Sequence, residues 1–390
     1  MDFLRKRYLF TPGPVAVAPR VLLTQAQPIT HHRLPEFSQI LREIRANLKY
    51  LFQTQEEVYF FASSGTGAME AALVNLFSPE DAVIVVEAGK FGERWRELAE
   101  TYNLKTITIK LEWGKAVKPE QIEEALKKHP SAKGILLQAC ETSTGVKHPI
   151  EEIARITRER ECVLVVDAIT GLGVFPLPMD AWGIDVLITG SQKALSLPPG
   201  LSFIALSPKA KELAKSSKLP KYYFNLAKEE KAYAKDTTAF TPAVSLLIAL
   251  KEVLERIKNL GLDYLYSYFK AVSSAACAGV LALGLEIFPE TPAESLTVIK
   301  APSTLNTAEF IKFLRDKWGI IFAGGQDALK GKIIRITHMG DQTPFDLFIA
   351  FSALEMGLNH FGIKVPVGRS LAVLEEKLLP FLASTYSINS

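Results

Sequence analysis

Between residues 58 and 206 short apolar runs alternate with amphipathic segments of helical period, a pattern that few architectures accept. Val58–Ala62, Ala82–Val86, Lys105–Ile109, Gly134–Ala139, Val163–Asp167 and Val186–Thr189 read as strands. Ala68–Leu76, Glu93–Tyr102, Pro119–Lys128 and Ile150–Glu159 read as the helices between them. Val163-Leu164-Val165-Val166 and Gly134-Ile135-Leu136-Leu137 hold no charged residue, as strands buried on both faces require. The alternation predicts an α/β fold, with an open and mostly parallel sheet covered by helices on both faces.

A different pattern follows. A helical stretch runs from Pro242 to about Leu285, with a stop signal at Asn259-Leu260-Gly261. Beyond it, Leu296–Ile299, Ile320–Ala323 and Ile333–Thr337 read as strands, and Thr307–Lys317 and Pro344–His360 as helices. The 390 residues exceed what one core commonly serves, roughly 250–300. The expected division is an N-terminal arm (1–18), a large domain (19–259) and a smaller C-terminal α/β domain (260–390).

Composition narrows the function classes. Lys plus Arg total 45 against 42 acids, and no long basic run offers a surface for nucleic acid. Arg5-Lys6-Arg7 reads as a solvated N-terminal face. The most apolar stretch, Ala275 to Phe288, is too short to span a bilayer and carries Glu286, so no membrane association is expected. Pro12 and Pro14 interrupt the start before a signal-peptide core can form. Cys140, Cys162 and Cys277 are widely spaced and fit a reducing compartment, so the expected location is cytoplasmic. His129, His148, His338 and His360 lack metal-ligand spacing, and no metal is expected.

Open α/β sheets bind ligands beyond the carboxyl ends of their strands, so polar residues just after apolar runs are informative. Ser63-Ser64-Gly65-Thr66-Gly67 joins a strand to a helix. It reads either as a tight turn or as a phosphate cradle at a helix N-terminus. Asp167 ends an apolar run and needs a partner if buried: a nearby cation, a helix end, or a protonated ring nitrogen. Lys193 follows Val186–Thr189 within Gly190-Ser191-Gln192-Lys193, and Leu197-Pro198-Pro199-Gly200 comes soon after. A loop lysine is commonly a solvated charge, but this rigid, uncharged surround is a poor site for one. Desolvated there, its amine becomes a nucleophile toward an aldehyde. About one β-α-β step separates Asp167 from Lys193, which brings both to one crevice. A ring-protonating acid and an imine-forming lysine are the two functions that pyridoxal phosphate requires.

The segments VDAITGLG and ITGSQKALSLPPGLSFIALS resemble the class V aminotransferases, specifically the alanine–glyoxylate and serine–pyruvate group. The resemblance covers nearly the whole chain, from Thr11-Pro12-Gly13-Pro14 through SSGTGAMEAAL and ETSTGV to GKIIRITHMG. It implies the fold type I of pyridoxal-phosphate transferases, with Lys193 as the Schiff-base lysine and Asp167 paired to the pyridinium. It further implies that Ser64, Gly65, Thr66 and Gln192 bind the phosphate, that Phe91 and Ile169 flank the ring, and that Thr142 lies near its hydroxyl. The family often carries Trp where this chain has Phe91, which implies weaker stacking. Thr241 matches a phosphate ligand given by a partner subunit, implying a homodimer with shared active sites. Some members carry Tyr where this chain has Thr238. Arg335 matches the clamp for a substrate carboxylate.

Gly13 belongs to a loop that chooses the substrate. His32 and Arg33 are similar to a His-Arg pair that helps phosphoserine aminotransferases bind substrate phosphate, or else make a structural contact near the site mouth. Cys140 reads as a buried strand cysteine. The activity implied is transfer of an amino group from a small amino acid such as alanine or serine to a 2-oxo acid such as glyoxylate or pyruvate. Phosphoserine transamination, a lyase or desulfurase reaction on the same fold, and a non-catalytic subunit of a larger complex are the alternatives.

Overall fold

The computed structural model describes residues 6–385. Arg5 of the basic triplet, and the start of the expected arm, lie outside the described residues.

Seven strands form the main sheet: β1 (Val58–Phe61), β2 (Ala82–Glu87), β3 (Lys105–Lys110), β4 (Gly134–Gln138), β5 (Val163–Asp167), β6 (Val186–Gly190) and β7 (Ser202–Leu206). Their order is β1-β7-β6-β5-β4-β2-β3. All neighbouring pairs are parallel except those of β7, which runs against both β1 and β6. β7 adds to the strands expected from the sequence. Its chain reversal falls at Gly200, whose φ of +146° favours glycine. The edge strand β3 holds only exposed and half-buried residues, whereas β4 to β7 are buried throughout.

Helices α1 (Pro35–Phe52), α2 (Gly65–Leu76), α3 (Lys90–Thr101), α4 (Pro119–Lys128) and α5 (Ile150–Arg158) accompany this sheet. α2 and α3 each begin three residues earlier than the apolar period indicates, and both early starts fall at strand ends. α6 (Val244–Leu260) and α7 (Leu262–Ala282) meet at Gly261, with φ +81°, where the sequence carries its stop signal.

The C-terminal part packs α7, α8 (Pro344–His360) and α9 (Arg369–Thr385) on a four-stranded antiparallel sheet. Its central strands are β8 (Leu296–Lys300) and β9 (Ile333–Thr337), flanked by Glu286–Ile287 and Ala323–Gly324. The strand expected over 320–323 divides between two partners. Ile320–Ile321 pairs in parallel with Tyr8–Leu9, and Ala323–Gly324 joins β9. The helix expected over 307–317 changes at Leu314 from α to a single widened π-type turn ending at Trp318.

Two apolar cores result, and they meet inside α7. Leu262 and Phe269 pack with the main sheet, and Val272 onward packs in the second core. The segment after the N-terminus laces them together, with Phe10 in the second core and Val15 and Ala18 in the first. Between these anchors it passes over the carboxyl ends of β5 and β6, where the polar residues gather.

Candidate active site

Lys193 follows β6 and is 9% exposed. Its Nζ donates to the backbone carbonyl of Pro12. Gly13, with φ +120°, leaves room for this contact, because a β-carbon built there would overlap Nζ. Burial brings the Lys193 ammonium down to about 8, against a smaller opposing pull from Asp167.

Asp167 ends β5 and is 5% exposed. Its Oδ1 accepts the N–H of Ile169 at 2.8 Å. Burial pushes the carboxyl up to about 7, reinforced by the Glu141 charge and opposed by Lys193 and Arg94. Asp167 and Lys193 each feel the other's charge, as groups facing one crevice do.

Ser64, Gly65 and Thr66 open α2 beside them. Gly65 is packed under Ile169: a β-carbon at Gly65 would overlap the Ile169 Cδ1 atom. Gly190 backs onto Gly65, so a β-carbon at Gly190 would lie 3.4 Å from the Gly65 nitrogen and 3.2 Å from Gln192 Oε1. That Gln192 oxygen is buried and meets no protein donor. The first N–H groups of a helix have no intrahelical acceptors, so this corner gathers donors and one orphaned amide around a small backbone concavity.

Phe91 lies in the first turn of α3. The early start of that helix comes from Glu141, whose Oε2 accepts the N–H of Phe91 at 3.1 Å and of Gly92 at 3.0 Å. Arg94 lies 5.0 Å from the centre of the Phe91 ring and donates to Thr66 Oγ1 at 3.2 Å. The Thr142 hydroxyl is buried and shares a 2.7 Å hydrogen bond with Thr170. Arg335, on β9, spends Nε on the Gly324 carbonyl (2.9 Å) and Nη1 on the Thr142 carbonyl (3.0 Å). Among the described residues no hydrogen bond engages its Nη2 group, and burial brings this guanidinium down to about 10.

Lys193, Asp167, Ile169, Gly65, Thr66, Gln192, Phe91, Thr142, Arg335 and Gly13 are thus joined by contacts or charge. Ser64 stands at the exposed cap of α2. His32, Arg33 and Thr241 lie apart from these contacts. Arg33 donates to Thr237 at 3.1 Å, and His31 and His32 stack with ring centres 4.7 Å apart. Among the described residues no contact joins His32, Arg33 or Thr241 to Lys193. Thr241 is exposed, and the Thr238 hydroxyl donates to the Phe240 carbonyl at 2.7 Å. Cys140 is buried, and burial pushes its thiol up to about 11, which suits a packed strand residue.

Two residues escaped sequence reasoning. Glu141 carried a signal, since an acid at the end of a buried strand needs donors. Arg94 lies three residues after Phe91, one turn along the same helix face.

The residues present fit pyridoxal phosphate. The glycine-lined concavity at the head of α2, the desolvated Lys193 and the buried Asp167 match its phosphate, its aldehyde and its ring nitrogen. Among the described residues no cluster of three or more His, Cys, Asp or Glu could hold a metal ion, and no helix is long and apolar enough to cross a membrane.

Comparison with known proteins agrees. Residues 20–339 match the family model for aminotransferase class V. The small subunit of a soluble hydrogenase from Synechococcus sp. is 40% identical over 92% of this chain and 94% of that protein. The L-aspartate–glyoxylate aminotransferase of Paracoccus denitrificans is 30% identical over 94% of this chain and 95% of its own. The crystal structure of a ureidoglycine–glyoxylate aminotransferase from Bacillus subtilis superimposes with a TM-score of 0.91 at 29% identity, covering 95% of this chain and 98% of that one.

Proposed function

The chain belongs to the class V aminotransferases, and from that premise we propose that it moves an amino group from a small amino acid to glyoxylate or a similar 2-oxo acid. The observation that carries the reading is the pairing of a buried Lys193, whose ammonium burial brings down to about 8, with a buried Asp167 across one crevice. Glyoxylate is the acceptor named for both the Paracoccus relative and the Bacillus structure.

When bound, pyridoxal phosphate supplies an aldehyde for the amino group and a ring that withdraws electrons from the substrate carbon. The protein supplies the rest. Ser64, Gly65, Thr66 and Gln192 would hold the phosphate, with Arg94 adding positive charge behind Thr66. Phe91 and Ile169 would hold the ring between them, and Thr142 would lie near its hydroxyl. Asp167 holds a proton at the ring nitrogen, a role that suits a carboxyl whose burial is relieved by a cation. Lys193, easily neutral at its position, takes the proton from the substrate α-carbon and returns it nearby. Arg335 orients the substrate carboxylate through Nη2, with its other nitrogens held by backbone. Gly13 sets the distance between the Pro12 carbonyl and Lys193.

We place Thr241 at the site of a second copy of the chain in a homodimer. The reading is supported by the exposure of Thr241 beside the exposed rings of Tyr222 and Tyr223, which stack near Phe240. Three free cysteines fit a reducing, cytoplasmic setting.

The test is to incubate purified protein and pyridoxal phosphate with alanine, serine, aspartate or phosphoserine, with glyoxylate, pyruvate or 2-oxoglutarate as acceptor. Glycine formed from glyoxylate, together with the donor's 2-oxo acid, supports the reading. A protein that stays colourless with added pyridoxal phosphate and makes no glycine favours a non-catalytic subunit of a larger complex; the hydrogenase relative is named as a small subunit.

A further inference from the structure

Glu141 is fully buried, yet among the described residues no cation pairs with its carboxylate. It meets donors instead. Oε1 accepts the Ser143 N–H at 3.2 Å and the Ser143 hydroxyl at 2.6 Å. Oε2 accepts the N–H groups of Phe91 and Gly92. The Ser143 hydroxyl oxygen in turn accepts the Lys90 N–H at 3.0 Å. Gly89 keeps this contact close: a β-carbon there would overlap Ser143 Oγ and lie 2.7 Å from Glu141 Cδ. Burial pushes the carboxyl up, and the four donors pull it back.

The residues tied together here are those that surround the cofactor site. One oxygen holds the helix turn that carries Phe91. The other holds the turn that carries Thr142, whose carbonyl anchors Arg335. We infer that Glu141 is a positioning residue: its carboxylate locks the Phe91 ring, Thr142 and Arg335 into one rigid unit. This inference rests on the functional reading above for the identity of the ligand, but not for the lock itself. A carboxylate is required because both oxygens face donors. An amide of the same shape turns its NH2 against N–H groups on one side or the other and leaves them unpaired.

Glu355 provides a matched control. It accepts from the Gly368 N–H (2.6 Å), the Ser370 N–H (2.9 Å) and the Ser370 hydroxyl (2.5 Å) at the head of α9, in the second core. Cofactor-free wild type, Glu141→Gln and Glu355→Gln are compared by amide hydrogen exchange and by titration with pyridoxal phosphate. Glu141→Gln is expected to speed exchange at Phe91 and Gly92 at least tenfold, to raise the cofactor's Kd at least tenfold and to weaken its induced circular dichroism. Substrate KM should rise more than kcat falls. Glu355→Gln should lower Tm and leave those readouts within about twofold. If Glu141→Gln only lowers Tm, as the control does, the inference is overturned. Should Glu141→Gln not accumulate folded, Gly89→Ala displaces the carboxylate with its charge intact. It should show the same exchange and affinity losses, and wild-type values for both would also overturn the inference. A wild type that binds no pyridoxal phosphate defeats the functional reading alone, and exchange at Phe91 and Gly92 then decides this one.

Discussion

Arg335 and Thr142 are joined across the seam between the two cores: the guanidinium Nη1 donates to the Thr142 backbone carbonyl at 3.0 Å. With Nε on Gly324, the guanidinium is fixed before any substrate arrives. Arg335→Lys replaces a planar fork by a single ammonium that cannot hold both carbonyls and meet a carboxylate as well. A charge-assisted hydrogen bond contributes about 1.5–3 kcal/mol. Substrate KM is therefore expected to rise roughly 10- to 100-fold, with kcat less affected, in steady-state kinetics over a range of donor concentrations. An unchanged KM would remove Arg335 from the substrate site.

Asp167→Asn keeps the shape of the side chain, and its oxygen still accepts the Ile169 N–H. The fold and cofactor binding should survive. What disappears is the group that holds a proton on the ring nitrogen. Turnover is expected to fall by about 10²- to 10⁴-fold, the range typical of positioned acids and bases. Single-turnover measurement of donor oxidation checks this, and a variant with near wild-type turnover counts against the assigned role.

The sequence makes Lys193 and Asp167 legible because Asp167 ends an apolar run, Lys193 follows closely on another, and one β-α-β step separates them, so topology brings them together. Gly65 and Thr66 are legible for the same reason. The start of α3 is not, because the group that fixes it, Glu141, lies fifty residues away from Phe91. Nor is the anchoring of Arg335, which depends on backbone carbonyls at Gly324 and Thr142 that any residue could supply. β7 was hidden because it runs against its neighbours and so lies outside the β-α rhythm. Residues 320–323 read as one strand, since periodicity cannot show that two different partners share them.

The depressed pKa of Lys193 sets a pH signature. Only the neutral amine attacks an aldehyde, and burial places the ammonium at about 8. The rate at which cofactor-free enzyme captures pyridoxal phosphate should therefore rise about tenfold per pH unit below that value and level off above it. The Asp167 charge pulls Lys193 upward, so Asp167→Asn should move the midpoint down. Stopped-flow absorbance across pH reads both. A midpoint near 10.5, the ordinary lysine value, contradicts the desolvated site.

Gly13 gives the most local test of the crevice. Its φ of +120° is one that side chains rarely adopt, and a β-carbon there would overlap Lys193 Nζ. Gly13→Ala therefore combines backbone strain of about 1–3 kcal/mol with displacement of the amine from the Pro12 carbonyl. The site responds by moving either the lysine or the Thr11–Pro14 segment, and each response opens the gap. Affinity for pyridoxal phosphate is expected to fall at least tenfold, while Tm drops by only a few degrees, because Phe10 and Val15 still anchor the segment in the two cores. Absorbance titration and thermal melting of the same sample separate the two effects. If Gly13→Ala binds the cofactor as tightly as wild type, the segment is not the wall that holds Lys193.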